Sequence, residues 1–205
     1  MAIRTILWDM GGVLLTNGWD HTERDAVLKH FGLERAPFEE RHPEANDAWE
    51  KGEIDAEQYL KRTVFYEPRN FTWQDFLHAM KEQSQMLHPG CFRILHALAA
   101  SHEYRVGVLN NEATELNDYR IETFGLRELF TYFLSSCYLG MRKPDVKIFL
   151  RGLQIMQADP AETVFIDDRE GNVNAAKAAG MKAIHFTGPE KLVEQMGALG
   201  IHWKQ

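Results

Sequence analysis

The sequence predicts an α/β fold, a doubly wound parallel sheet with a helical cap domain inserted after its first strand. Three observations carry this reading. Short apolar runs recur that break off in polar residues, as in Ile6-Leu7-Trp8 before Asp9 and Val164-Phe165-Ile166 before Asp167-Asp168. From about residue 88 such runs alternate with helical segments, which means a parallel sheet covered on both faces. Between the first strand and that alternation lies a long block with no strand signal.

The first strand ends at Asp9, and Gly11 and Gly12 follow at once. Open α/β sheets keep their chemistry at the C-terminal ends of strands, and glycine lets backbone approach a ligand that a Cβ would block. A turn at Thr16-Asn17-Gly18 leads into a helix from about Asp20 to Phe31. Asp55 with Gln58, and Thr72 with Asp75, have the spacing of capping boxes. Ile54 with Tyr59, and Phe71 with Phe76, stand as hydrophobic staples beside them. The charges from Glu34 to Glu57 read as a solvated face. Residues 17–87 are therefore expected to form the cap, and 1–16 with 88–205 the sheet domain.

Pro89 opens the next helix, with Cys91, Phe92, Leu95 and Leu98 as its buried stripe. A second strand, 104–109, ends in Asn110-Asn111, and a helix from about Ala113 stops at Gly125. Residues 132–136 read as a third strand, followed by the loop Gly140-Met141-Arg142-Lys143-Pro144 and a helix carrying Val146, Phe149, Leu150, Leu153 and Met156. The fourth and fifth strands are expected at 163–166 and 182–186, with a helix between them and another after.

Over 205 residues the net charge is −7, which argues against a nucleic-acid or anionic-membrane surface. No apolar run is long enough to span a bilayer, and the N-terminus lacks a signal-peptide pattern. Two cysteines make no disulfide framework, so a reduced, cytoplasmic setting is expected. The nine histidines show no zinc-ligand spacing.

Asp9, Asn110-Asn111, Lys143 and Asp167-Asp168 all lie where the chain leaves the same edge of such a sheet. Clustered carboxylates repel unless a cation is present, and Mg²⁺ takes carboxylate and carbonyl oxygens. A lysine and amides beside them suit an anionic substrate, and one carboxylate as nucleophile gives phosphoryl transfer. Plainer roles compete: Asp167-Asp168 as a helix cap, Asn110-Asn111 as a turn, Lys143 as a surface lysine.

Taken together, Asp9-Met-Gly-Gly-Val-Leu14, the strand to Asn110-Asn111, Arg142-Lys143-Pro144-Asp145 and Phe165-Ile-Asp-Asp168 with Asn172 resemble the four ordered motifs of the haloacid dehalogenase-like hydrolases. The resemblance implies a Rossmann-like core and a cap at the family's first cap position. It implies Asp9 as nucleophile and Lys143 as the phosphoryl-holding cation. Asp9, the Gly11 carbonyl and Asp168 would be ligands to Mg²⁺. Asn110, Asn111 and Gly12 would bind phosphate, and Asp167 and Asn172 would steady the site from behind. Two positions depart from the pattern. Gly11 stands where most phosphatases of the family carry an acid–base aspartate, and Asn110 where Ser or Thr is usual. Asp-x-Gly-Gly is similar to a branch of sugar-1-phosphate phosphatases.

The expected function is a Mg²⁺-dependent phosphatase for a small phosphorylated metabolite, a sugar phosphate first among them. The competing readings are a 2-haloacid dehalogenase, in which the aspartate attacks carbon, and a weakly catalytic phosphate-binding protein. The sequence leaves oligomeric state open.

Overall fold

The structure is a computed structural model that describes residues 2–203. Five parallel strands form one sheet: β1 (Thr5–Trp8), β2 (Arg105–Val108), β3 (Tyr132–Phe133), β4 (Thr163–Asp167) and β5 (Lys182–His185), in the order β3-β2-β1-β4-β5. β1 is central and fully buried, as its unbroken apolar run demands. Alternate side chains part to opposite faces: Ile6 and Trp8 join one apolar cluster, Leu7 the other. Trp8 pairs in register with Val108 and with Ile166. The next residues, Asp9, Leu109 and Asp167, therefore leave the sheet at one level.

After β1 come α1 (His21–His30), α2 (Arg35–Glu50), α3 (Ala56–Thr63) and α4 (Trp73–Glu82). They share a separate core that includes Trp19, Trp49, Tyr59 and Phe76, joined from the sheet side by Ala113 and Leu116. Both capping boxes form, at Asp55/Gln58 and Thr72/Asp75. The rings of Phe71 and Phe76 stack at 6.2 Å.

Helix α2 runs for 16 residues through Pro43, across much of the stretch expected to be a solvated charged face. It buries Phe38, His42, Ala45 and Trp49, a stripe at helical spacing. A histidine and an alanine dilute that stripe, so the charged residues between them dominate its pattern.

The remaining helices are α5 (Pro89–Ser101), α6 (Thr114–Thr123), α7 (Ser136–Leu139), α8 (Val146–Met156), α9 (Glu170–Ala178) and α10 (Pro189–Ala198), with short 3₁₀ turns at Leu126–Glu128 and Pro160–Glu162. The third strand is shorter than 132–136. It stops at Phe133, and helix α7 starts three residues on with Ser135 as its N-cap; Ser136 N–H donates to the Asn110 carbonyl (2.9 Å) and Ser135 Oγ to Asn110 Oδ1 (2.8 Å). No helix among the described residues is long and apolar enough to cross a membrane.

Candidate active site

Asp9 sits one residue past β1 and is almost wholly buried. Its Oδ1 accepts from the Met10 N–H (2.8 Å) and forms an ion pair with Lys143 Nζ (2.9 Å). Lys143 Nζ also donates to Asp167 Oδ2 at 2.7 Å. One ammonium thus bridges two carboxylates, with Lys143 at 2% and Asp167 at 0% side-chain exposure. Asp167 is further held by Asn172 Nδ2, 3.0 Å from each oxygen, and by the Arg169 N–H at 2.7 Å.

The electrostatics follow from burial. Desolvation pushes the Asp9 carboxyl up to about 7; Lys143 pulls against it and Asp167 adds to it. Burial disfavours the Lys143 ammonium, but Asp9 and Asp167 outweigh that and hold its pKa above the usual lysine range. Asp168, half-buried beside Asp167, is also raised, by desolvation first and its neighbour second.

Asp9, Asp167 and Asp168 each place a carboxylate oxygen within 4.8 Å of the others. Asp168 Oδ1 is buried and has no hydrogen-bond partner among the described residues. An orphaned carboxylate oxygen next to two more carboxylates fits a hard divalent cation.

Gly12 makes this packing possible. Its φ is +72°, and a Cβ there would lie 2.4 Å from Asp168 Oδ2. Its N–H donates to the Leu15 carbonyl at 2.8 Å.

The two asparagines have protein partners of their own. Asn111 clamps the Lys143 peptide, accepting from its N–H (2.8 Å) and donating to its carbonyl (2.9 Å). Asn110 is buried, donates to Asn117 Oδ1 (3.0 Å) and accepts from Ser135. Their amides bind the loops that carry Lys143 and β3; Asn111 also lines the cavity beside Lys143, whereas Asn110 lies buried behind it. The Lys143–Pro144 peptide within the clamp is cis.

Above Asp9 and Lys143 lies a polar cavity of about 150 Å³. Gly11 and Asn17 line one side, and the helical insertion contributes Trp19, Arg24, Asn46 and Glu50. Ion pairs close the seam between insertion and sheet. Arg142 Nη1 donates to Asp47 Oδ1 at 2.9 Å, and its Nε lies 2.6 Å from Glu50 Oε2 without hydrogen-bond alignment. Arg169 Nη2 donates to Asp20 Oδ2 at 2.8 Å.

Sequence reasoning missed Glu112 and Arg120, a fully buried pair at 2.9 Å on the cavity wall. Burial pushes Glu112 up to about 7, against the pull of Arg120. A glutamate four residues past the end of β2 was the available signal.

Residues 3–180 match the sequence profile of the haloacid dehalogenase-like hydrolases, and the chain belongs to that family. It is a hydrolase. Among its relatives is the chloroplast flavin mononucleotide hydrolase 1 of Arabidopsis thaliana, 29% identical over 195 residues, spanning 93% of this chain and 78% of that one. A pyrimidine 5′-nucleotidase of Escherichia coli is 29% identical over 138 residues, 62% of this chain and 58% of its own. A family enzyme of Bacteroides thetaiotaomicron shares the fold with a TM-score of 0.81 at 20% identity, covering 96% of this chain and 99% of that one. Another crystal structure of that enzyme holds magnesium and inorganic phosphate, with a TM-score of 0.72, 21% identity and coverage of 91% and 96%.

Proposed function

We propose that this hydrolase is a Mg²⁺-dependent phosphatase of small, polar phosphate monoesters, sugar phosphates first among them, working through Asp9. The observation that carries the reading is the Asp9 carboxylate pinned by buried Lys143 at the floor of a small polar cavity, with an orphaned Asp168 oxygen beside it.

Asp9 Oδ1 is fixed by Met10 and Lys143, which leaves Oδ2, free of protein hydrogen bonds, to attack phosphorus. Lys143 holds the phosphoryl oxygens and steadies the charge that develops on them. Asp9, Asp168 and the Gly11 carbonyl would hold Mg²⁺, which when bound offsets the carboxylate charge and polarises a phosphoryl oxygen. Asp167 and Asn172 keep Lys143 aimed, and Asn111 keeps its loop in place. Water then attacks the aspartyl-phosphate at phosphorus, which frees Asp9 and orthophosphate. The helical insertion acts as the cap, excluding bulk water during the first step.

Size and lining support the substrate class. A cavity of about 150 Å³ lined by charged groups, amides and one indole suits a phosphate with a short hydroxylated group. A flavin ring system needs the cap moved aside. The test is phosphate release from a panel of sugar phosphates, nucleotides and flavin mononucleotide, with Mg²⁺ and with chelator. Hydrolysis of small sugar phosphates well above the rest, in Mg²⁺ alone, is expected. Chloride release from 2-chloropropionate at equal rates with and without Mg²⁺ would favour the dehalogenase reading.

A further inference from the structure

Position 11 carries no side chain, yet the space beside it is filled. An ideal Cβ on Gly11 would lie 3.2 Å from Asn17 Oδ1 and 3.4 Å from Asn17 Cα. Asn17 lines the same cavity as Asp9, Lys143 and Gly11. Among the described residues nothing hydrogen-bonds to its side-chain amide, which is exposed at the cavity. The sequence reading took Asn17 for a turn residue only.

The backbone around Asn17 is held unusually firmly for a surface turn. Thr16 Oγ1 donates to the Gln83 carbonyl (2.8 Å) and accepts from the Gln85 N–H (3.1 Å). The Thr16 carbonyl accepts from Arg120 Nη2. Gly18 has φ +74°, and a Cβ there would lie 2.6 Å from Glu112 Oε2. Arg120 also bonds Ser84 Oγ (3.1 Å) and Glu112 Oε2 (2.9 Å). A buried guanidinium and carboxylate are costly to desolvate, and here they grip the residues on either side of Asn17. That grip gives the buried pair a purpose that packing alone does not.

We propose that Asn17 is the group that receives the leaving oxygen of the substrate. This rests on the phosphatase reading above. As Asp9 Oδ2 bonds to phosphorus, the ester phosphorus–oxygen bond breaks and the leaving oxygen keeps the electron pair. Asn17 Nδ2–H hydrogen-bonds to that oxygen as its charge grows, and a water molecule supplies the proton. An amide donates a hydrogen bond but transfers no proton at neutral pH. The enzyme therefore stabilises its leaving group without protonating it, and the rate stays sensitive to the leaving group's own basicity.

The experiment measures single-turnover phosphate release from 4-nitrophenyl phosphate, phenyl phosphate and glycerol 2-phosphate, at saturating Mg²⁺. Wild type is compared with Asn17→Ala and Asn17→Asp. Asn17 is exposed, so both variants should fold, which circular dichroism checks. Asn17→Ala should slow glycerol 2-phosphate about tenfold, the worth of one hydrogen bond, and 4-nitrophenyl phosphate less than about threefold. Asn17→Asp should restore the glycerol 2-phosphate rate at low pH and add a limb that falls as pH rises and the new acid ionises. Equal losses on all three esters, or none, overturn the proposal. If wild type releases phosphate neither from these esters nor from the sugar-phosphate panel with Mg²⁺, the phosphatase reading fails and the proposal with it.

Discussion

The floor of the cavity and the seam around its rim use the same chemistry, carboxylates facing cations, to opposite ends. On the floor, Lys143 and Asp167 are all but inaccessible and their charges cannot separate without leaving an ion in a dry interior. At the rim, Arg169 keeps 59% and Asp47 44% of its side-chain exposure, so water can replace either partner. The floor is thus a fixed device, and the rim pairs can be exchanged for water. The difference lies in backing: regular strands and the Asn111 clamp hold the floor, while the rim pairs join two separately packed cores.

Breaking the floor should do the most. Lys143→Met should lower kcat by about 10²–10³, as removal of one electrostatic stabiliser does. It also leaves Asp9 and Asp167 facing each other, so thermal stability should drop in chelator and recover with Mg²⁺ by more than wild type gains. A variant within twofold of wild type would put Lys143 outside the chemistry.

Gly12→Ala attacks the floor from the side. The methyl group meets Asp168 Oδ2 at 2.4 Å, on a backbone that disfavours any Cβ. The Mg²⁺ concentration for half-maximal activity should rise about 10–100-fold, the usual cost of disturbing a ligand's support. An unchanged Mg²⁺ requirement would remove Asp168 from the ligand set.

The rim should respond mildly. Arg142→Met removes the pairs with Asp47 and Glu50 and should raise KM about two- to fivefold with kcat nearly unchanged. Raising KCl from about 50 to about 500 mM should narrow the gap by screening the wild-type pairs. A hundredfold fall in kcat would make Arg142 part of the floor.

The smallest effect concerns the cap's own core. Tyr59 Oη lies 2.8 Å from His42 Nδ1 and accepts from Trp19 Nε1 at 2.7 Å, which holds the imidazole inside the apolar cluster. Burial first, then Arg24, lowers the His42 pKa from 6.5 to about 4. The unfolded chain binds a proton across that window and the folded one does not, so stability is full above about pH 6.5 and falls as pH drops toward 4. Melts followed by tryptophan fluorescence should show that slope, and His42→Gln should flatten it. An unaltered slope would assign the acid sensitivity to other groups.

The floor was largely legible in the sequence because each of its charges stands at the end of an apolar strand or in a glycine- or proline-marked loop. Asp9, Lys143 and Asp167-Asp168 announce themselves that way. What their neighbours do was not legible. Asn110 and Asn111 read as phosphate donors, and nothing local showed that Ser135 and the Lys143 peptide, 25 and 32 residues away, also bond their amides. The same blindness hid Arg120, whose reach to Thr16 spans 104 residues. Helix α2 lies in the block read as helical, but its buried face was not assigned, because histidine and alanine fill half of that stripe.

The central claim is that Asp9 carries the phosphoryl group. Rapid-quench experiments with ³²P-labelled sugar phosphate and Mg²⁺ test it most directly. A transient, alkali-labile label should appear on the protein, decay at the rate of phosphate release, and be absent from Asp9→Asn. Phosphate release that continues in Asp9→Asn, or proceeds at full rate with no label on the wild-type protein, would contradict it.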